Sequence, residues 1–159
     1  MPNSRTLYCI ASVSKVVTGI MLLQLVERGV VHLTDPVERY VPEFKKIPNP
    51  YRWSPPVTLM QLATMTSGLE DKTGPDCQAG TKWDTCLLTS FSSMAYASEP
   101  GTQRGYCNAG YAILGLALSR AAHRTSHQAN SYKMLVREAL KILNPTSPGG
   151  SGLQPLEKH

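Results

Sequence analysis

Residues 10–44 read IASVSKVVTGIMLLQLVERGVVHLTDPVERYVPEF. Val16, Val17, Ile20, Leu23 and Val26 recur at the three- and four-residue spacing of a helix, and Met21, Leu22 and Leu25 broaden the apolar stripe. The pattern predicts a helix from Ser14 to about Arg28, buried on most sides. Ser12 or its neighbour is placed to act as N-cap, and Gly29 to stop the helix in a left-handed turn. The helix therefore opens where a serine and a lysine, Ser12 and Lys15, stand three residues apart.

Beyond this helix, VHLTDPVERYVPEF and KKIPNPYRWSPP are dense in proline, which forbids long regular elements and predicts loop with one helical turn. Thr58 is placed to cap a short helix, LMQLATM, ended by Ser67-Gly68. The polar stretch EDKTGPDCQAGTKWD reads as an exposed loop, followed by a helix from about Asp84 to Met94. After a turn at Glu99–Thr102, YCNAGYAILGLALSRAA has helical periodicity around Ala109, Ile113, Leu116 and Ala117, with Tyr106 and Asn108 at its mouth. Ser131 is placed to cap a last amphipathic helix, YKMLVREALKIL. The remainder, NPTSPGGSGLQPLEKH, is the Pro/Gly/Ser-rich composition of a disordered tail. The expected organisation is one domain over 1–143 and a tail over 144–159, without internal repeats.

Composition narrows the function classes. With 159 residues, 42% apolar and 17% charged, the chain is sized and composed for a single folded unit. Its net charge of +5 is scattered, with no basic run and no nucleic-acid-reading motif, so nucleic acid is not an expected partner. Cys9, Cys77, Cys86 and Cys107 lack the C-x-x-C spacing of a structural zinc site, and no metal or other cofactor is expected. Cys77 and Cys86 bracket a short polar segment that is compatible with a surface disulfide and equally with two free thiols. No charged-then-apolar signal peptide opens this chain, and VVTGIMLLQLV is too short to span a bilayer, so no membrane segment is expected; the compartment stays open.

Two spaced pairs carry chemical potential. Ser12-Val13-Ser14-Lys15 is the only S-x-x-K, and on a helix start that offset brings ammonium and hydroxyl to one face, where a desolvated lysine can activate the serine. A capping serine beside a surface lysine is the plain structural alternative. Tyr106-Cys107-Asn108 is the only Y-x-N; a phenol near a cation can share proton transfer, and an amide can bond both the lysine and a substrate. Here the alternative is a tyrosine packed at a helix start with asparagine as its cap.

The surrounding sequence resembles the penicillin-recognising serine hydrolases, in the class C β-lactamase, D-aminopeptidase and carboxylesterase branch. IASVSKVVTGIMLLQLVERGVVHLTDP resembles the family's serine-bearing segment, VTLMQLATMTSGL its I-T-L-x-x-L-L-x-H-T-S-G-L stretch, and PGTQRGYCNAGYAILG its Y-S-N block, in the family's order. The resemblance implies an α+β, β-lactamase/transpeptidase-like fold, of which this mostly helical chain covers the serine-bearing helix and the helical subdomain, with most of the central sheet missing. It implies Ser12 as the acyl-accepting nucleophile, Lys15 as its activating partner, Tyr106 as a second proton-transfer residue and Asn108 as a substrate-binding and network residue. The implied substrate is a small-molecule or peptide amide or ester.

Met65 stands where the family usually has histidine, and Cys107 where it usually has serine. Lys72-Thr73-Gly74 precedes the Y-x-N block, whereas the family's K-T-G or H-x-G lies far downstream on a strand, so the triplet is read as coincidence. By the same resemblance one oxyanion donor belongs to that late strand. The expectation is therefore a fragment, inactive or incomplete alone, with a non-catalytic helical scaffold as the alternative.

Overall fold

Helix α1, Ser14–Glu27, ends as its glycine dictates. Gly29 sits at φ 66°, its N–H donates to Val26 C=O at 2.9 Å, and the Val30 N–H reaches back to Leu25 C=O at 2.9 Å, the paired bonds of a Schellman turn. The computed structural model describes residue 3 and residues 6–71, 80–126 and 131–143. Four further helices follow: α2, Leu59–Ala63; α3, Trp83–Ser90; α4, Asn108–Ser126; and α5, Ser131–Leu143. Short 3-10 turns at Ala11–Val13, Val37–Arg39, Pro42–Lys46 and Phe91–Ser93 complete the elements. Among the described residues there is no β-strand, only isolated bridges between Pro36 and Thr58 and between Leu69 and Tyr96.

The proline-dense stretches form 3-10 turns and loop, as their missing N–H donors require. Thr58 caps α2 in a reciprocal box. Its hydroxyl accepts from Gln61 N–H at 3.2 Å, and Gln61 Oε1 accepts from Thr58 N–H at 3.0 Å. The helix expected to run from Asp84 to Met94 is divided between α3 and the turn that contains Phe91. Phe91 is fully buried and meets Phe44 edge-on at 6.3 Å, which fastens this corner to the loop after α1.

Helix α4 is the hub: α1, α2, α3 and α5 all pack on it, and α1 also packs on α5. Met21, Leu22 and Leu25 of α1, Ile113, Leu114, Ala117 and Leu118 of α4, and Leu135 and Ala139 of α5 belong to one core. The expectation that α1 is buried on most sides needs correction. Val16 and Leu23 of α1, continuing the face of Val13 in the turn before it, are 55% and 59% exposed, and Val13 63%, because no described element lies against that face.

The loop after α1 is laced by Asp35, which is buried. It accepts from the His32 N–H at 2.8 Å, the Tyr40 hydroxyl at 2.6 Å and Arg39 at 2.9 Å. Burial alone drives the Asp35 carboxyl pKa upward, yet the bonds from Tyr40 and His32 and the Arg39 charge outweigh it and hold the group below its ordinary range. Burial and that same bond push the Tyr40 phenol up to about 12. Arg120 of α4 then grips Glu43 with both guanidinium nitrogens, at 2.7 and 3.0 Å, and ties the loop to the hub.

No helix among the described residues is long and apolar enough to cross a membrane. Lys72-Thr73-Gly74, Cys77 and the stretch 144–159 lie outside the described residues, as do the expectations attached to them.

Candidate active site

Ser12 does not cap α1. Ala11 takes φ 43°, a left-handed conformation that L-residues seldom adopt, and the chain then makes the tight turn Ala11–Val13 before α1 begins. Ser14 satisfies the local backbone instead, its hydroxyl donating to Ala11 C=O at 2.7 Å. The Ser12 hydroxyl is left free of the local backbone and bonds instead to the side chains of Lys15 and Tyr106.

The Y-x-N segment is brought to Ser12 from 94 positions away. Gly105 N–H donates to Met65 C=O at 2.9 Å, which docks the segment on the loop after α2. Met65 itself has φ 60° and contributes its carbonyl to that link. The same loop needs Gly68 at φ 79°: a Cβ there would lie 2.2 Å from the Ser98 carbonyl oxygen. Cys107, buried, is the N-cap of α4, with Sγ accepting from Gly110 N–H at 3.2 Å and donating to Glu70 C=O at 3.5 Å. Burial pushes its thiol pKa up, so it behaves as a small structural side chain.

These constraints gather the four residues singled out in the sequence. Lys15 Nζ donates to three oxygens, one for each of its N–H groups: Ser12 Oγ at 3.2 Å, Tyr106 Oη at 2.8 Å and Asn108 Oδ1 at 2.7 Å. Ser12 Oγ and Tyr106 Oη are hydrogen-bonded to each other at 2.5 Å. The ammonium also lies 4.8 Å from the centre of the Tyr106 ring and 5.7 Å from that of Tyr111. The Tyr111 hydroxyl donates to Ala63 C=O at 2.7 Å and so holds that second ring in place.

The hydrogen bonds from Lys15 and Ser12 favour the phenolate and draw the Tyr106 pKa below 10, with the Asp71 charge opposing. Tyr106 is 47% exposed, so the cluster opens to solvent on the described side. Chemically, a hydroxyl beside a phenol of lowered pKa, with a cation touching both, is an arrangement able to move a proton off a nucleophile.

Two neighbours were not foreseen. Asp71 accepts from the Asn108 main-chain N–H at 2.7 Å and from its Nδ2 at 3.3 Å, and Tyr111 lies beneath Lys15. Nothing local marks Asp71, because its partner is 37 positions distant. Cys86 is disulfide-bonded. Among the described residues no group of three or more His, Cys, Asp or Glu side chains could hold a metal ion.

A family model described as Beta-lactamase matches residues 2–139. The chain is 33% identical over 125 residues to a D-alanyl-D-alanine-carboxypeptidase/endopeptidase, AmpH, of Escherichia coli, covering 76% of this chain and 32% of that protein. It is likewise 33% identical over 141 residues to Beta-lactamase-like protein 2 of Dictyostelium discoideum, covering 86% of this chain and 24% of that one. The chain thus spans about a third or less of the length of these relatives. Among solved structures, a beta-lactamase/D-alanine carboxypeptidase from Yersinia pestis complexed with citrate superposes with a TM-score of 0.60 at 29% identity. That match covers 84% of this chain and 37% of that one.

Proposed function

Because the chain belongs to the serine β-lactamase and penicillin-binding-protein-like family, we propose that it carries the nucleophile and proton-transfer groups of a serine hydrolase site. In this reading Ser12 is the nucleophile. Its Oγ attacks the carbonyl carbon of an amide or ester, and its proton passes to the Tyr106 phenolate. Lys15, touching both oxygens, stabilises the negative charge as it moves between them. Collapse of the tetrahedral intermediate breaks the bond to the amine or alcohol, which takes the proton from Tyr106, leaving an acyl ester on Ser12. Water, deprotonated by the Tyr106 phenolate, then attacks the acyl carbon; the bond to Ser12 Oγ breaks, Tyr106 returns the proton to Oγ, and the acid leaves. Asn108, held by Lys15, keeps one amide hydrogen to offer a substrate carbonyl.

The observation that carries this reading is the single contact of three reactive groups: Ser12 Oγ 2.5 Å from Tyr106 Oη, with Lys15 Nζ bonded to both. The relatives named for D-alanine carboxypeptidase and β-lactamase activity suggest a small peptide amide or a β-lactam as acyl donor. The test is covalent labelling with a fluorescent penicillin and a fluorophosphonate, followed by peptide mapping. Label on Ser12, absent from Ser12→Ala, supports the assignment; label elsewhere, or label that survives Ser12→Ala, overturns it.

A further inference from the structure

We propose that Asp71 is a positioning residue that sets which end of the Asn108 carboxamide faces Lys15. This rests on the acyl-transfer reading of Ser12, Lys15, Tyr106 and Asn108. A carboxamide is nearly symmetric in shape, and its two ends differ only in that one donates and the other accepts. Lys15 can only donate, so it needs Oδ1 turned towards it, and the 2.7 Å contact has that sense. Turned the other way, the amide would bring NH2 against ammonium.

Asp71 enforces the sense from the opposite side. Its ionised carboxylate can only accept, and one oxygen takes the Asn108 main-chain N–H at 2.7 Å while the other takes Nδ2 at 3.3 Å. One side chain thereby holds both the backbone and the amide of the same residue. The first of these bonds sits at the N-terminus of the 19-residue α4, where the helix dipole favours an anion.

The backbone that leads to Asp71 is itself held in place. Glu70 donates its N–H to Ala95 C=O at 3.0 Å and accepts from Cys107 Sγ, while Leu69 bridges to Tyr96. The line Asp71, Asn108, Lys15, Ser12 is therefore an alternation of acceptor and donor anchored at a structural bridge. Asp71 is bonded to Ser12 only through this line, while its charge also acts on Tyr106, opposing the bonds that lower the phenol pKa; the Asn108 NH2 pair reads the first effect separately from the second.

Two substitutions separate this role from simple helix capping. Asp71→Asn keeps an oxygen for the Asn108 N–H but places an NH2 where Oδ2 stood, so it preserves the cap and loses the selection. Asp71→Ala loses both. The measurements are the Ser12 labelling rate with a fluorophosphonate, the thermal midpoint, and the 1H–15N resonances of the Asn108 side-chain NH2 in the 159-residue chain.

We expect Asp71→Asn to melt with the wild type, to label about tenfold more slowly and to move the Asn108 NH2 pair, with Asp71→Ala also melting lower. Wild-type labelling by Asp71→Asn with an unmoved NH2 pair would overturn the inference. Should the wild type not label at Ser12, the acyl-transfer reading fails. The NH2 pair then still decides Asp71: moved in Asp71→Asn it stands, unmoved it falls.

Discussion

Replacing Lys15 with methionine keeps the unbranched stem and removes three hydrogen bonds at once, those to Ser12 Oγ, Tyr106 Oη and Asn108 Oδ1. The largest influence lowering the Tyr106 pKa is the bond from Lys15, so the substitution should return the phenol towards its ordinary value near 10. The sign follows from charge: a cation favours the phenolate, and without it deprotonation needs higher pH. If the phenolate accepts the Ser12 proton, wild-type acylation should rise with pH to a midpoint below 10, and in Lys15→Met that midpoint should move up.

Positioned proton transfer is typically worth a factor of about 100 to 10,000. The lower end applies here, because Tyr106 is 47% exposed and water screens the charges it meets. We therefore expect Lys15→Met to acylate about 100-fold more slowly near pH 7, measured as the second-order rate constant for fluorophosphonate labelling of Ser12. Tyr106→Phe should lose the same factor and the ascending limb with it. An unchanged rate together with an unchanged midpoint in Lys15→Met would refute the proton-transfer assignment.

Further outcomes are expected at three positions. Asp35→Ala, which strands the His32 N–H and the Tyr40 hydroxyl, should lower unfolding free energy by about 3 kcal/mol in urea titration. Because the folded Asp35 pKa lies below 3.8, its contribution is complete above about pH 4 and fades as pH falls through the folded value, so Asp35→Asn should flatten the acid limb of the stability curve. Gly68→Ala forces a Cβ to 2.2 Å from the Ser98 oxygen at φ 79° and should cost at least about 2 kcal/mol by the same titration, with Ser12 labelling falling as the Met65 to Gly105 link loosens. Ala11→Val puts a β-branched side chain at φ 43° and should slow Ser12 labelling while moving the thermal midpoint by only a few degrees, because Ala11 is exposed.

Periodicity was enough to place the helices, because apolar side chains at positions 16–26 and 109–117 recur with the helical repeat whatever they pack against. The stop at Gly29 and the Thr58 cap were equally legible, since each is satisfied within five residues along the chain. The family followed from three short blocks in order, and the match over residues 2–139 agrees with it. Burial of α1 was read less well. A helix apolar all round states that its faces suit apolar partners, while what lies against each face is decided by the rest of the fold, and Val13, Val16 and Leu23 are exposed among the described residues.

Spacing predicted that Ser12 and Lys15 would meet, for three residues on a helical start share a face. It did not predict the left-handed Ala11 and the tight turn that holds Ser12 ahead of α1, nor Cys107 rather than Asn108 as the cap of α4. Asp71 and Tyr111 were invisible for a plainer reason. A carboxylate in a loop and a tyrosine in a helix carry no mark of the lysine they serve until Gly68, Met65 and Gly105 bring their segments together. The sequence by itself determined the residue types able to donate, accept and attack. Beyond Ser12 and Lys15, which of them touch was decided by contacts 37 to 94 positions apart, and those exist only once α4 has packed on α1 and α2.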